Sequence, residues 1–174
     1  MRVDLDATES RQIPGRLMYM RLAQALLATM VMSACATTPR HEATRATTHD
    51  TPSIWPLASG QGRITQVFGA QRGHHTGVDI AAPKGTPVIA TADGIVYFAG
   101  RDNAYGRIVR IAHARGIETW YAHLRSIEVK RSRKVKQGQV IGKVGASGRA
   151  TGPHLHYCVR VNGAPVDPRR YLPK

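Results

Sequence analysis

Residues 152–163 read GPHLHYCVRVNG. Val159 and Val161 are β-branched, Tyr157 is aromatic, and Asn162-Gly163 is a turn pair, so the stretch reads as a strand closed by a turn. Alternate side chains of a strand share a face. His154, His156 and Cys158 therefore point one way, with Leu155, Tyr157 and Val159 on the other. The fold class and the chemistry both follow from asking what lies on either side of this strand.

Working outward, the texture is uniform from about Leu57 to the C-terminus. Short β-like runs, RITQVFG, HTGVDIAA, TPVIATA, GIVYFAG, RIVRIAH, IETWYAH and QVIGKVG, alternate with Gly, Pro, Asp and Asn punctuation. Strands so short and closely spaced predict an all-β sandwich or barrel. No segment holds a 3.6-residue apolar period long enough for a helix, and no tandem repeat is present. The basic stretch VKRSRKVKQG, residues 129–138, reads as a hairpin or strand edge, where lysine discourages edge pairing.

Before Leu57 the chain changes character. Arg16 and Arg21 flank an apolar run from Leu22 to Met32, followed by Ser33, Ala34 and Cys35. A basic flank, a short apolar run and small residues form a secretory signal, too short for a comfortable transmembrane helix. Small residues directly before a cysteine resemble the bacterial lipoprotein signal, which would make Cys35 the lipidated first residue. A plain signal cut near Ala34 or Ala36 is the alternative. Asp4, Asp6 and Glu9 are unlike a signal start, so translation from Met18 or Met20 fits better. Residues 36–56, rich in Thr, Ala and Pro, read as a flexible linker in which His41 and His49 are solvated. The domain expectation is thus signal 1–34, Cys35 and linker 35–56, and a β domain 57–174. With Cys35 lipidated, Cys158 is the one free thiol and no disulfide framework can form.

The chain has 174 residues, with 25 Lys+Arg against 11 Asp+Glu and a net charge of +14. That length is one ordinary domain plus extensions. The charge suits an anionic polymer or surface. No aromatic-interleaved basic helix or RNA-binding signature supports nucleic acid.

Six of the eight histidines lie in the β region: His74, His75, His113, His123, His154 and His156. In HHTGVD, residues 74–79, Gly77 stands between His75 and Asp79 and allows a close backbone approach. His123 ends the run in WYAHL, residues 120–124. A hydrolytic zinc site takes three protein ligands and keeps a fourth position for water. His75, Asp79 and His156 would supply two imidazoles and a carboxylate, leaving net charge +1 to acidify a bound water. His123 and His154 remain nearby without being needed as ligands. No His-Glu-x-x-His helix and no Gly-x-Ser-x-Gly elbow occurs.

The stretches FGAQRGHHTGVDIAAPKGTPVIATADGIVYFAG, YGRIVRIAH, ETWYAHL, VKQGQVIGKVGASGRATGPHLHY and RVNGAPVDPRRYL, taken in order, resemble the lysostaphin/LytM-type zinc peptidoglycan endopeptidases. The resemblance spans about Trp55 to Leu172. It implies a compact antiparallel β domain, Zn2+ held by His75, Asp79 and His156, and His123 and His154 flanking the catalytic water and scissile carbonyl. Which of those two takes which part is left open. It also implies peptidoglycan cross-links as substrate. The lipoprotein-like signal points to the periplasm, and a monomer is expected. Ala36 after Cys35 resembles signals sorted to the outer membrane, so membrane anchoring there is expected. The chain departs from the family pattern at Ala112, where an acid is frequent before the histidine. It departs again at Tyr157-Cys158, where Phe-Glu is common, and at Ser132-Arg133, where Gly-Asp is frequent. No proposed ligand is lost. Cys158 reads as a small buried hydrophobe beside the site.

Two rivals are weighed. Some members of the family lose zinc ligands and activate amidases during cell division, which would bring an amidase or divisome partner. All five site residues stand here. A lipoyl- or biotinyl-carrier domain shares the texture of GTPVIATADGIV, but no lysine sits at a hairpin tip in the required context.

Overall fold

The alternation in residues 152–163 is realised as the central strand of an antiparallel sheet. The computed structural model describes residues 49–58, 60 and 62–174. These fall within one unit, Thr44–Lys174. The signal, Cys35 and His41 lie outside the described residues.

Eleven strands follow in order: β1 Arg63–Gln66, β2 Val78–Ala81, β3 Pro87–Ile89, β4 Gly94–Asp102, β5 Gly106–Ala112, β6 Ile117–Leu124, β7 Ser126–Ile127, β8 Lys134–Val135, β9 Val140–Lys143, β10 His154–Val161 and β11 Ala164–Val166. The helical content described is two 3-10 turns, Ala114–Gly116 and Pro168–Arg170. One sheet runs β1-β2-β10-β6-β5-β4-β8 with β11 on β10, and a second runs β3-β9-β7. All pairings are antiparallel. The all-β expectation therefore holds. The basic stretch contains β8, the outer strand of the large sheet, beside Gly94 and Ile95 of β4.

The core lies between the two sheets. Val78 and Ile80 from β2, Leu155, Tyr157 and Val159 from β10, and Val109 and Ile111 from β5 meet Val88 and Ile141 from the small sheet. Each large aliphatic side chain so buried contributes roughly 1.5–3 kcal/mol. The buried hydroxyls of this core find one another. Thr91 Oγ1 lies 2.9 Å from Tyr121 Oη and 3.0 Å from Tyr157 Oη. Thr119 Oγ1 lies 2.7 Å from His113 Nε2, whose Nδ1–H donates to the Asp93 carbonyl at 2.7 Å. His113 thus belongs to a buried network.

The stretch 49–56, expected as linker, is held against the β domain. Asp93 N–H donates to the His49 carbonyl at 2.8 Å, and the His49 ring meets Gln137 Oε1 at 2.6 Å. Ser53 N–H donates to the Thr91 carbonyl at 3.2 Å, and Pro52 and Pro56 are buried. Composition concealed this because the hold runs through the main-chain groups of His49 and Ser53, which every non-proline residue carries alike.

Candidate metal centre

With Leu155 and Tyr157 in the core, the opposite parity of β10 lines a cleft. Asp79 of β2 stands in register with His156, so the two are direct cross-strand neighbours. His75 comes from the β1–β2 loop. Its Nδ1–H donates to the Val67 carbonyl at 2.8 Å, and its main-chain N–H to the Ala70 carbonyl at 3.0 Å. Gly77 supplies the expected close approach. A Cβ there would lie 2.4 Å from the Tyr157 carbonyl oxygen and 3.0 Å from the His156 ring.

Three atoms converge. His75 Nε2 is 3.0 Å from Asp79 Oδ1 and 3.2 Å from His156 Nδ1, which is 2.8 Å from Asp79 Oδ1. All three residues are buried, and they form the one candidate metal cluster among the described residues. The donors fit a cation. The Val67 carbonyl can only accept, so His75 carries its proton on Nδ1 and presents a lone pair at Nε2. His156 Nε2 is buried without a partner. If His156 holds its proton there, three acceptor atoms face one another with nothing between them. If it holds the proton on Nδ1, a bare lone pair is buried instead. A shared cation accepts all three lone pairs. Tetrahedral zinc with bonds of about 2.0–2.1 Å spaces its ligand atoms by roughly 3.3 Å, close to the spacing present. Burial would raise the Asp79 carboxyl, but the His156 hydrogen bond and the surrounding imidazoles outweigh it and hold the group below its ordinary value.

His154 and His123 stand beside this triangle. His154 Nδ1–H donates to the Gly152 carbonyl at 2.9 Å, leaving Nε2 as an acceptor 3.8 Å from Asp79 Oδ2. His123 Nδ1–H donates to the Ser147 carbonyl at 2.8 Å, again leaving Nε2 as the acceptor. The two rings are 4.7 Å apart. Burial lowers the His123 imidazolium pKa below its ordinary value, so the ring is neutral near pH 7.

Parity alone places His123 wrongly. Strict alternation from Tyr121 would send it into the core. Instead Arg107 pairs with Leu124 and Val109 with Tyr121, so three steps on β6 match two on β5. This bulge, with His123 at φ 58°, buries both Tyr121 and Leu124 and turns His123 to the cleft. Bulges re-aim side chains in this way beside active sites. Ser147 braces it. The Ser147 hydroxyl accepts from Arg107 N–H at 2.8 Å and donates to the Leu124 carbonyl at 2.8 Å.

The cleft measures about 400 Å³ and contains all five predicted site residues. Sequence reading missed Tyr105, Thr76, Ser147 and Arg149. Tyr105 is packed edge-on to Trp120 at 5.9 Å and lies 5.5 Å from the His156 ring, with its hydroxyl 3.3 Å from Thr76 Oγ1. Trp120 is itself held between Arg110 and Arg160, at 4.1 and 4.7 Å. Cys158 is fully buried, and burial pushes its thiol up to about 11, so it is a packing residue.

Two imidazoles and a carboxylate, with two further imidazoles alongside, form a donor set that suits one zinc ion. The chain belongs to peptidase family M23, whose profile matches residues 73–168. The lysostaphin-type resemblance is thereby established, and lysostaphin is among the solved structures that share the fold. Mpg of Neisseria meningitidis, a DD-carboxypeptidase/endopeptidase, is 56% identical over 94 residues, covering 54% of this chain and 22% of Mpg. NlpD of Escherichia coli, a murein hydrolase activator, is 39% identical over 121 residues, covering 69% of this chain and 31% of NlpD. A zinc-containing peptidase from Vibrio cholerae superposes with TM-score 0.61 at 40% identity, over 65% of this chain and 37% of that one. The chain thus spans less than a third of the length of Mpg and NlpD, and its family includes both hydrolases and activators.

Proposed function

We propose that this protein is a zinc-dependent endopeptidase that hydrolyses peptide cross-links of bacterial peptidoglycan. The observation that carries the reading is the convergence of five side chains: three donors to one point, and two imidazoles with Nε2 open to the same cleft. A zinc ion held by His75, Asp79 and His156 would supply Lewis acidity toward a water and the peptide carbonyl. The chain's own residues do the proton work. Of His123 and His154, one accepts a proton from the attacking water at Nε2. The other steadies the developing oxyanion or delivers a proton to the leaving amine. The Ser147 and Gly152 carbonyls hold both Nδ1–H groups, which leaves a bare Nε2 for the ring that takes the water's proton; the ring that steadies the oxyanion or protonates the amine does so once its Nε2 also carries a proton. The water oxygen ends on the acyl carbon, and the C–N bond breaks with its proton on the amine.

The positive charge of the chain suits a polymer bearing carboxylates. The signal-like stretch at residues 16–35 supports a periplasmic site of action, and lipidation of Cys35 would anchor the domain to the inner face of the outer membrane. A second reading is a wall-binding activator of amidases, favoured by the similarity to NlpD. The test is zinc stoichiometry and cross-linked muropeptide cleavage on purified residues 36–174, with His154→Ala alongside. One zinc per chain with cleavage by the wild type alone supports the hydrolase. Bound zinc without cleavage supports the activator.

A further inference from the structure

Metal binding and proton transfer leave the one arginine of the cleft lining unused. Gln66, Gln71, His74, Tyr105, Arg149 and Thr151 line the cleft beside the five site residues. Arg149 is the only Lys or Arg in that lining, and it is exposed with no carboxylate partner among the described residues. The one carboxylate in the cleft, Asp79, is engaged by His75 and His156.

The backbone beneath Arg149 is anchored. Its N–H donates to the Ala104 carbonyl at 2.9 Å. Gly148, at φ 73°, packs so tightly on the neighbouring loop that a Cβ would lie 2.4 Å from Gly106 N. Two residues before Arg149, the Ser147 carbonyl holds His123 Nδ1–H. The loop that fixes the imidazole therefore also presents a guanidinium at the cleft wall. An unpaired guanidinium on an anchored loop is built for a planar anion, which it can meet with two parallel hydrogen bonds.

The substrate class supplies such an anion at a defined place. In a DD peptide bond the amine side is a D-configured centre carrying its own carboxylate, one carbon from the scissile nitrogen. This holds for a terminal D-alanine and for a cross-link alike. The acyl-side D-alanine has no free carboxylate. We propose that Arg149 binds the carboxylate of the leaving-group residue and so determines specificity for DD bonds. This rests on the hydrolase reading above.

The test uses the full zinc-loaded chain and two stem pentapeptides ending in D-Ala-D-Ala, one as the free acid and one as the C-terminal amide. The wild type should cleave the acid with about tenfold or greater preference in kcat/KM, the worth of one charge-assisted pair. Arg149→Gln should erase that preference by slowing the acid and leaving the amide within about twofold. Arg149→Lys should recover part of it. Lys84→Gln, which alters a cation in a separate surface depression, should keep the preference. Equal handling of acid and amide by the wild type would overturn the proposal, as would an equal loss on both in Arg149→Gln. Calorimetry on the His154→Ala chain separates this from the parent reading. Tighter binding of acid than amide, lost in His154→Ala/Arg149→Gln, supports the subsite even if the wild type cleaves nothing. Equal binding of the two refutes it.

Discussion

Gly77→Ala is the sharpest probe of how the fold builds the site. The added Cβ would lie 2.4 Å from the Tyr157 carbonyl oxygen, where contacts below 3.0 Å are essentially never seen, and 3.0 Å from His156 Cε1 and Nε2. Something must yield by about 0.6 Å, and the obstacle is the main chain of a central strand rather than a flexible side-chain tip. Overpacking of this kind costs about 1–3 kcal/mol, or roughly 3–12 °C in Tm for a domain of this size. The displacement also falls on His156, whose Nδ1 must stay 2.8 Å from Asp79 Oδ1. Metal–ligand distances tolerate only about 0.2 Å, so zinc affinity should fall tenfold or more. The assay is competitive chelator titration of zinc together with a thermal melt. Gly152→Ala is the matched control, since its Cβ enters open space. If Gly77→Ala binds zinc within twofold of the wild type and melts within about 1 °C, the close-packing argument is wrong.

Three further outcomes follow from the same geometry. Asp79→Ala and His156→Ala should lose zinc, while His123→Ala and His154→Ala keep one equivalent and lose about a hundredfold or more in turnover; metal analysis beside muropeptide hydrolysis distinguishes the two classes, and retained zinc in both ligand variants would sink the assignment. Burial holds His113 below its ordinary 6.5, so at acid pH the unfolded chain binds a proton that the folded chain resists. Stability should therefore fall as pH drops from about 6.5 toward the depressed value, and His113→Gln should flatten that part of a urea midpoint-versus-pH curve. Cys158, with its thiol pushed up to about 11, should react with a thiol reagent at pH 8 roughly a hundredfold more slowly in the folded chain 36–174 than in urea; equal rates would show the thiol to be accessible.

Much of this protein is legible along the chain because β-strands carry a period of two. In residues 154–161 that period alone separates the core set Leu155, Tyr157 and Val159 from the cleft residues His154 and His156. The strand Val78–Ala81 sorts in the same way, with Asp79 between two core residues. Gly77 could be read as a close approach because a residue without Cβ has few other uses between two polar site residues. The role of His123 was less legible. Its parity points to the core, and only the bulge against β5, braced by Ser147 some twenty residues later, turns it into the cleft. Arg149, Ser147 and Tyr105 carry no local signature, because their positions depend on two loops locked together by Gly106 and Gly148. The packing of 49–56 was hidden for a similar reason, since its partners, Thr91, Asp93 and Gln137, are distant in sequence. Periodicity is a property of neighbours along the chain and survives in one dimension. Tautomers, bulges and cleft walls are set by contacts between segments far apart in sequence, and these exist only once the sheet has closed around its core.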